Sequence, residues 1–172
     1  MDILVDVNPY NMRLRRLLLF GFMSLAASFW IHIENLFKVA QRMHAVKEAR
    51  SYSVRVKKPV LNYGCEGTAF GDINVDITEQ DVPNFMLIEP SPASTPFPDK
   101  HFAAVVCNHV LEHVPDPEAL QGELERIADH VHMITPNPVF LYTWLWPDHK
   151  WVFIKGRQFS IEDSLVVKLF GV

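Results

Sequence analysis

The stretch FAAVVCNHVLEHVPDPEALQGELERIADHVHMITP, residues 102–136, decides how the rest of the chain is read. Phe102 to Cys107 is an unbroken apolar run of strand length. Pro115 and Pro117 then punctuate a short polar loop. Beyond them Ala119, Leu120, Leu124 and Ile127 recur at helical spacing, with acids gathered in the first turns as a helix N-terminus prefers. A second apolar run, His130 to Pro136, closes the unit. Strand, helix, strand with continuous apolar strands predicts a parallel sheet covered by helices.

Within this stretch His109-Val-Leu-Glu112-His113 spells H-x-x-E-H, a zinc-hydrolase spacing. Such a site needs a helix that presents both histidines on one face, plus a third ligand. The prolines cut the segment within one turn of His113, and a strand ends at about Cys107. The motif therefore reads as a strand-end loop, and no metal is expected. His130 and His132 alternate as residues on one face of a strand do.

Working upstream, Val60 to Tyr63 predicts a short buried strand running into Gly64, and Ile73 to Ile77 a second with Asp76 near its end. Residues 85–90 predict a third. The Pro-rich EPSPASTPFPD, 89–99, is a connecting loop, with Pro96-Phe97-Pro98-Asp99 as a turn into the strand at 102.

Charge divides the chain. Residues 1–58 carry ten Lys/Arg against four Asp/Glu, and residues 59–172 carry six against sixteen. An acidic back part is poorly suited to wrapping nucleic acid, so no nucleic-acid partner is expected. Two cysteines, Cys65 and Cys107, give no disulfide framework.

The basic front holds RLRRLLLFGFMSLAASFWIHIENLFKVAQRMHAVKEARS, residues 13–51. Leu17 to Ile33 is 17 residues without a formal charge, at the short edge of what spans a bilayer. No proline lies between Asn11 and Lys58, so a helix can continue to about Ser51. Two readings stay open. One is a membrane anchor, a transmembrane helix through residues 14–34, with the C-terminal domain cytoplasmic because the larger positive excess follows the span. The other is a hydrophobic helix packed on the domain or on a partner chain in a cytoplasmic, homo-oligomeric protein. On either reading the division is 1–58 for the helical segment and 59–172 for the domain.

VLNYGCEG (60–67), NVDI (74–77), TPFPDKHFAAVVCNHVLEHVPDPEALQGELERIAD (95–129) and MITPNP (133–138) together resemble the class I S-adenosylmethionine-dependent methyltransferases, in the branch with a short domain. The resemblance implies a Rossmann-like, mostly parallel sheet flanked by helices and reduced in size, preceded here by the long N-terminal hydrophobic helix. It implies that Gly64, Cys65, Glu66 and Gly67 pass under the methionine part of S-adenosylmethionine, and that Asp76 accepts hydrogen bonds from both ribose hydroxyls. Ser91, two residues after Glu89, stands nearest to the family's adenine-side acid. Asn108 and His109 line the cleft near the sulfonium, with His109 and His113 as candidate bases for the acceptor, a small molecule or a lipid-like one.

Three features depart from the family pattern. Glu66 stands where a second glycine is usual. Only nine residues, Gly64 to Asp72, join the first two strands, too few for the usual crossover helix. About 35 residues follow the fifth strand, which leaves little for a final strand pair. Two functions therefore stay open: methyl transfer by in-line positioning, or a non-catalytic relative serving as a membrane-tethered binding or assembly module. The aromatic tail FLYTWLWPDHKWVF (140–153) reads as an acceptor wall or a membrane-facing rim, or else as core strands or a helix joined by a turn.

Overall fold

The computed structural model describes residues 9–89, 94–162 and 164. The chain divides between Val39 and Ala40 into two compact units. Helix α1, Pro9–Val56, runs through the division. It opens on a proline, whose missing N–H costs nothing at a first helical position. It stops where Lys57 takes a left-handed φ of 59° and donates its N–H to Ser53 O at 2.7 Å, two residues before Pro59.

In the first unit Leu17, Phe20, Phe22, Leu25 and Phe29 are all exposed, and Glu34 pairs with Lys38 at 3.2 Å one turn on. The expected transmembrane helix is not found: among the described residues no helix is long and apolar enough to cross a membrane. The uncharged run falls short of the roughly 20 residues a bilayer demands. Gly21, Ser24, Ser28 and His32 dilute it further, and Arg16 and Glu34 bound it.

In the second unit five parallel strands lie in the order β3-β2-β1-β4-β5, namely β1 Val60–Tyr63, β2 Ile73–Asp76, β3 Phe85–Leu87, β4 Phe102–Asn108 and β5 Ala128–Ile134. The architecture is a Rossmann-like α/β fold. Strand alternation sorts the core onto two faces. Leu61, Tyr63, Val105 and Cys107 pack with Leu120, Leu124 and Ile127 of helix α2, Pro117–Ile127. Val60, Ala104, Val106 and Ile134 pack with Ala45 and Ala49 from the last turns of α1. The end of α1 is thus a covering helix of the sheet, held by Arg50, which donates to Asp72 Oδ1 at 2.5 Å and Phe70 O at 2.6 Å.

Helix α2 forms where the sequence placed it. Asp116 caps it by accepting from Ala119 N at 2.9 Å, and Pro117 takes the first helical position. It passes straight into β5 at Ala128.

The connection Gly64–Asp72 carries no helix. Nine residues reach about 30 Å when extended, ample to return along a four-residue strand of about 13 Å. Side-chain amides hold this loop in place. Asn62, buried on β1, donates to Thr68 O at 2.9 Å and to Asn74 Oδ1 at 3.1 Å, and Asn74 Oδ1 also accepts from Gly71 N. A Cβ at Gly71 would fall 2.3 Å from Ile73 O and 2.8 Å from Asn62 N, so only glycine lets the loop lie this close.

After β5 the chain forms a short helix α3, Leu141–Leu145, and an antiparallel hairpin, β6 Trp151–Ile154 with β7 Arg157–Ser160. The hairpin is a separate two-stranded sheet and extends the parallel one at neither edge.

Candidate functional site

The order β3-β2-β1-β4-β5 reverses direction between β1 and β4, and in open parallel sheets ligands bind beyond the carboxyl ends at such a point. A cavity of about 480 Å³ lies there, within the range of small-molecule sites. Tyr63 and Gly64 reach it from the end of β1, Asp76 and Ile77 from β2, and Ile88 from beyond β3. The loop after β4 supplies His109, Val110, His113, Val114 and Pro115, and the hairpin side supplies Lys150.

Asp76 is buried at the tip of β2. Its Oδ2 accepts from Glu66 N at 3.0 Å, and its Oδ1 accepts from Thr78 N and Thr78 Oγ1, both at 3.1 Å. A carboxylate has about four lone-pair positions. These donors take three of them.

Glu66 holds a left-handed φ of 43°, a backbone conformation that glycine adopts more readily than a residue with a Cβ. Gly64, at φ 71°, is required for a different neighbour than expected. A Cβ there would meet Val110 Cγ2 at 2.2 Å, so the space above this turn is filled by a side chain of the β4 loop.

That loop is a series of turns with no helix, as its prolines dictate. His109 starts it at φ 57°. Its Nδ1 lies 3.1 Å from Oε1 of Glu112, which is completely buried. His113 donates from Nδ1 to Asp148 O at 3.0 Å, and His149 from Nδ1 to Thr143 O at 2.9 Å. Lys150 N and Trp151 N both donate to Glu112 O, and Trp151 Nε1 to Val114 O at 2.9 Å. The aromatic tail is therefore laced onto the loop, and a second cavity, about 520 Å³, opens between Trp144, Trp146, His149 and His113.

Burial sets the electrostatics. It pushes the Tyr63 hydroxyl well above its ordinary range, with Cys107, Glu123 and Asp76 adding to the effect. Burial and then Glu112 push the Cys107 thiol up in the same way. The Cys65 thiol is raised by burial and by Asp76. Burial lowers His149 despite the Thr143 carbonyl and Glu112, which favours the neutral ring.

Of the residues singled out in the sequence, Gly64, Glu66, Asp76, His109 and His113 converge on the strand-tip cavity. Cys65 and Gly67 belong to the same turn without lining it; Cys65 is buried as a free thiol. Asn108 ends β4 opposite Ile134, with its Oδ1 buried and, among the described residues, without a hydrogen-bond partner. Ser91 lies outside the described residues. Sequence reasoning missed Val110 and Lys150. Nothing local marks Val110, whereas Lys150 sits in the aromatic turn already suspected as an acceptor wall.

Residues 68–130 match the model of a family described as a methyltransferase domain. No curated protein and no solved structure matches the chain.

Proposed function

We propose that this chain, whose residues 68–130 carry a class I methyltransferase-like domain, binds S-adenosylmethionine in the strand-tip cavity and transfers its methyl group to an acceptor. The observation that carries the reading is the convergence of the β1 turn, buried Asp76 and the β4 loop on one cavity at the switch point of a parallel sheet. The residues fit the cofactor in kind. Asp76 Oδ2 has room for a ribose hydroxyl, the Gly64–Gly67 turn borders the methionine side, and Ile77 and Ile88 give apolar walls.

When bound, the cofactor supplies a methyl group already activated on a sulfonium, so the chain's own task is to position and to manage protons. His109 and His113 present imidazoles to the cavity. An acceptor with a lone pair needs orientation only; a hydroxyl acceptor gives its proton to one of these rings.

A second reading, a non-catalytic binding or assembly module, is favoured by Val110 over Gly64, by Glu66, and by the absence of a helix between Gly64 and Asp72. That helix would have brought an N-terminus to the cofactor's carboxylate. Calorimetric titration of the full chain with S-adenosylhomocysteine separates the two. Saturable binding, weakened at least tenfold by Asp76→Ala, is expected of the enzyme. A dissociation constant near 10 µM implies about 2.7 kcal/mol of stabilisation at millimolar ligand; no shift in melting under those conditions leaves the module.

A further inference from the structure

The geometry points to a site for a divalent transition-metal ion of the zinc class, held by Glu112, His113 and His149. One ligand atom from each lies within 4.8 Å of the other two, and His113 Nε2 is 3.9 Å from Glu112 Oε1. A tetrahedral ion with bonds of about 2.0–2.1 Å keeps its ligand atoms about 3.3 Å apart. The remaining gap of at most about 1.5 Å lies within reach of side-chain rotation.

Independent features support the site. Both histidines donate from Nδ1 to backbone carbonyls, Asp148 O and Thr143 O. That fixes the tautomer whose lone pair sits on Nε2, the outer-shell pattern that orients metal-ligating rings. Glu112 is wholly buried, and its Oε2 has no hydrogen-bond partner among the described residues. An unsatisfied buried carboxylate oxygen is costly, and a cation relieves that cost. His109 Nδ1 on Oε1 holds the carboxylate in place. Two imidazoles and one carboxylate suit zinc rather than calcium or magnesium, and leave a fourth position for water.

The H-x-x-E-H segment thus supplies Glu112 and His113, and the third ligand is His149, 37 positions beyond that glutamate. Because His113 lines both cavities, the ion sits in their shared wall and fastens the Trp144–Lys150 segment to the β4 loop. Ligation occupies His113 Nε2, which leaves His109 as the base if methyl transfer needs one. The site stands whether or not S-adenosylmethionine binds.

Chelator-treated full-length protein titrated with zinc chloride by calorimetry, and with cobalt chloride by absorption, tests this. One equivalent is expected, with His113→Ala and His149→Ala each weakening it on the order of 100-fold or more. Cobalt should give d–d bands without a thiolate charge-transfer band, and His132→Ala should bind like wild type. The proposal is overturned by absence of saturable binding, or by His113→Ala and His149→Ala that bind normally. A thiolate band would move the ion to Cys65 or Cys107, and loss in His132→Ala would move it to the His44, Glu48 and His132 cluster; either also overturns it. Should buried His149→Ala fail to fold by circular dichroism, His113→Ala, whose side chain is 37% exposed, decides alone.

Discussion

Glu123→Gln probes the network that pins the Pro96–Asp99 turn to helix α2. Glu123 is buried, and its Oε1 accepts from Thr95 N, from Thr95 Oγ1 at 2.7 Å and from Arg126 Nη2 at 2.7 Å. Its Oε2 accepts from Arg126 Nε at 2.8 Å, while Arg126 also reaches Asp99 and Phe97 O. Hydrogen bonding from Arg126 outweighs burial and, with Thr95, lowers the Glu123 carboxyl from its ordinary 4.5 to about 2. At about 1.4 kcal/mol per unit this amounts to roughly 3 kcal/mol. Because the Arg126 side chain is 34% exposed, solvent screening reduces the figure to about 2 kcal/mol. A depressed carboxyl stabilises the fold above its unfolded value and loses that contribution as pH falls through the folded one. Urea unfolding of wild type and variant between pH 7 and pH 2 is the assay. The difference should hold near 2 kcal/mol down to about pH 5 and shrink progressively between about pH 4.5 and 2. A difference that stays constant with pH would refute an electrostatic origin and leave only packing.

Other outcomes follow from the backbone. Gly71→Ala should destabilise by about 1–3 kcal/mol, because its Cβ collides with Ile73 O and Asn62 N; wild-type urea stability would show that the loop can retreat. Glu66→Gly removes a left-handed side chain worth about 1–2 kcal/mol, partly offset by about 0.5–1 kcal/mol of glycine flexibility. A melting temperature about 2–4 °C higher at most is expected; a lower one would mean that the glutamate side chain makes a stabilising contact.

Much of the sheet was legible because its signals are local. β1, β2 and β4 are short apolar runs ended by polar residues, and α2 carries its own cap, proline and apolar stripe. The missing crossover helix was likewise countable, since Gly64 to Asp72 is simply too short. What stayed hidden depends on distant partners. Ala45 and Ala49 look like filler on a helix with an unremarkable apolar pattern, yet their small size lets it approach β1 and β4. The apolar run at Leu17–Ile33 drew the eye toward a bilayer, although its length and small polar residues fall below that threshold. His149 reaches Glu112 through a fold-back of the aromatic tail, and no spacing rule anticipates that. Val110 over Gly64 is a packing choice invisible at the level of motifs.

Finally, the junction of α2 with β5 has no spare residue: Ile127 ends the helix and Ala128 opens the strand. One residue inserted or deleted there would swing the helical stripe by about 100° or exchange the two faces of β5. No slack exists to absorb either change. Length variation is therefore strongly opposed at this seam.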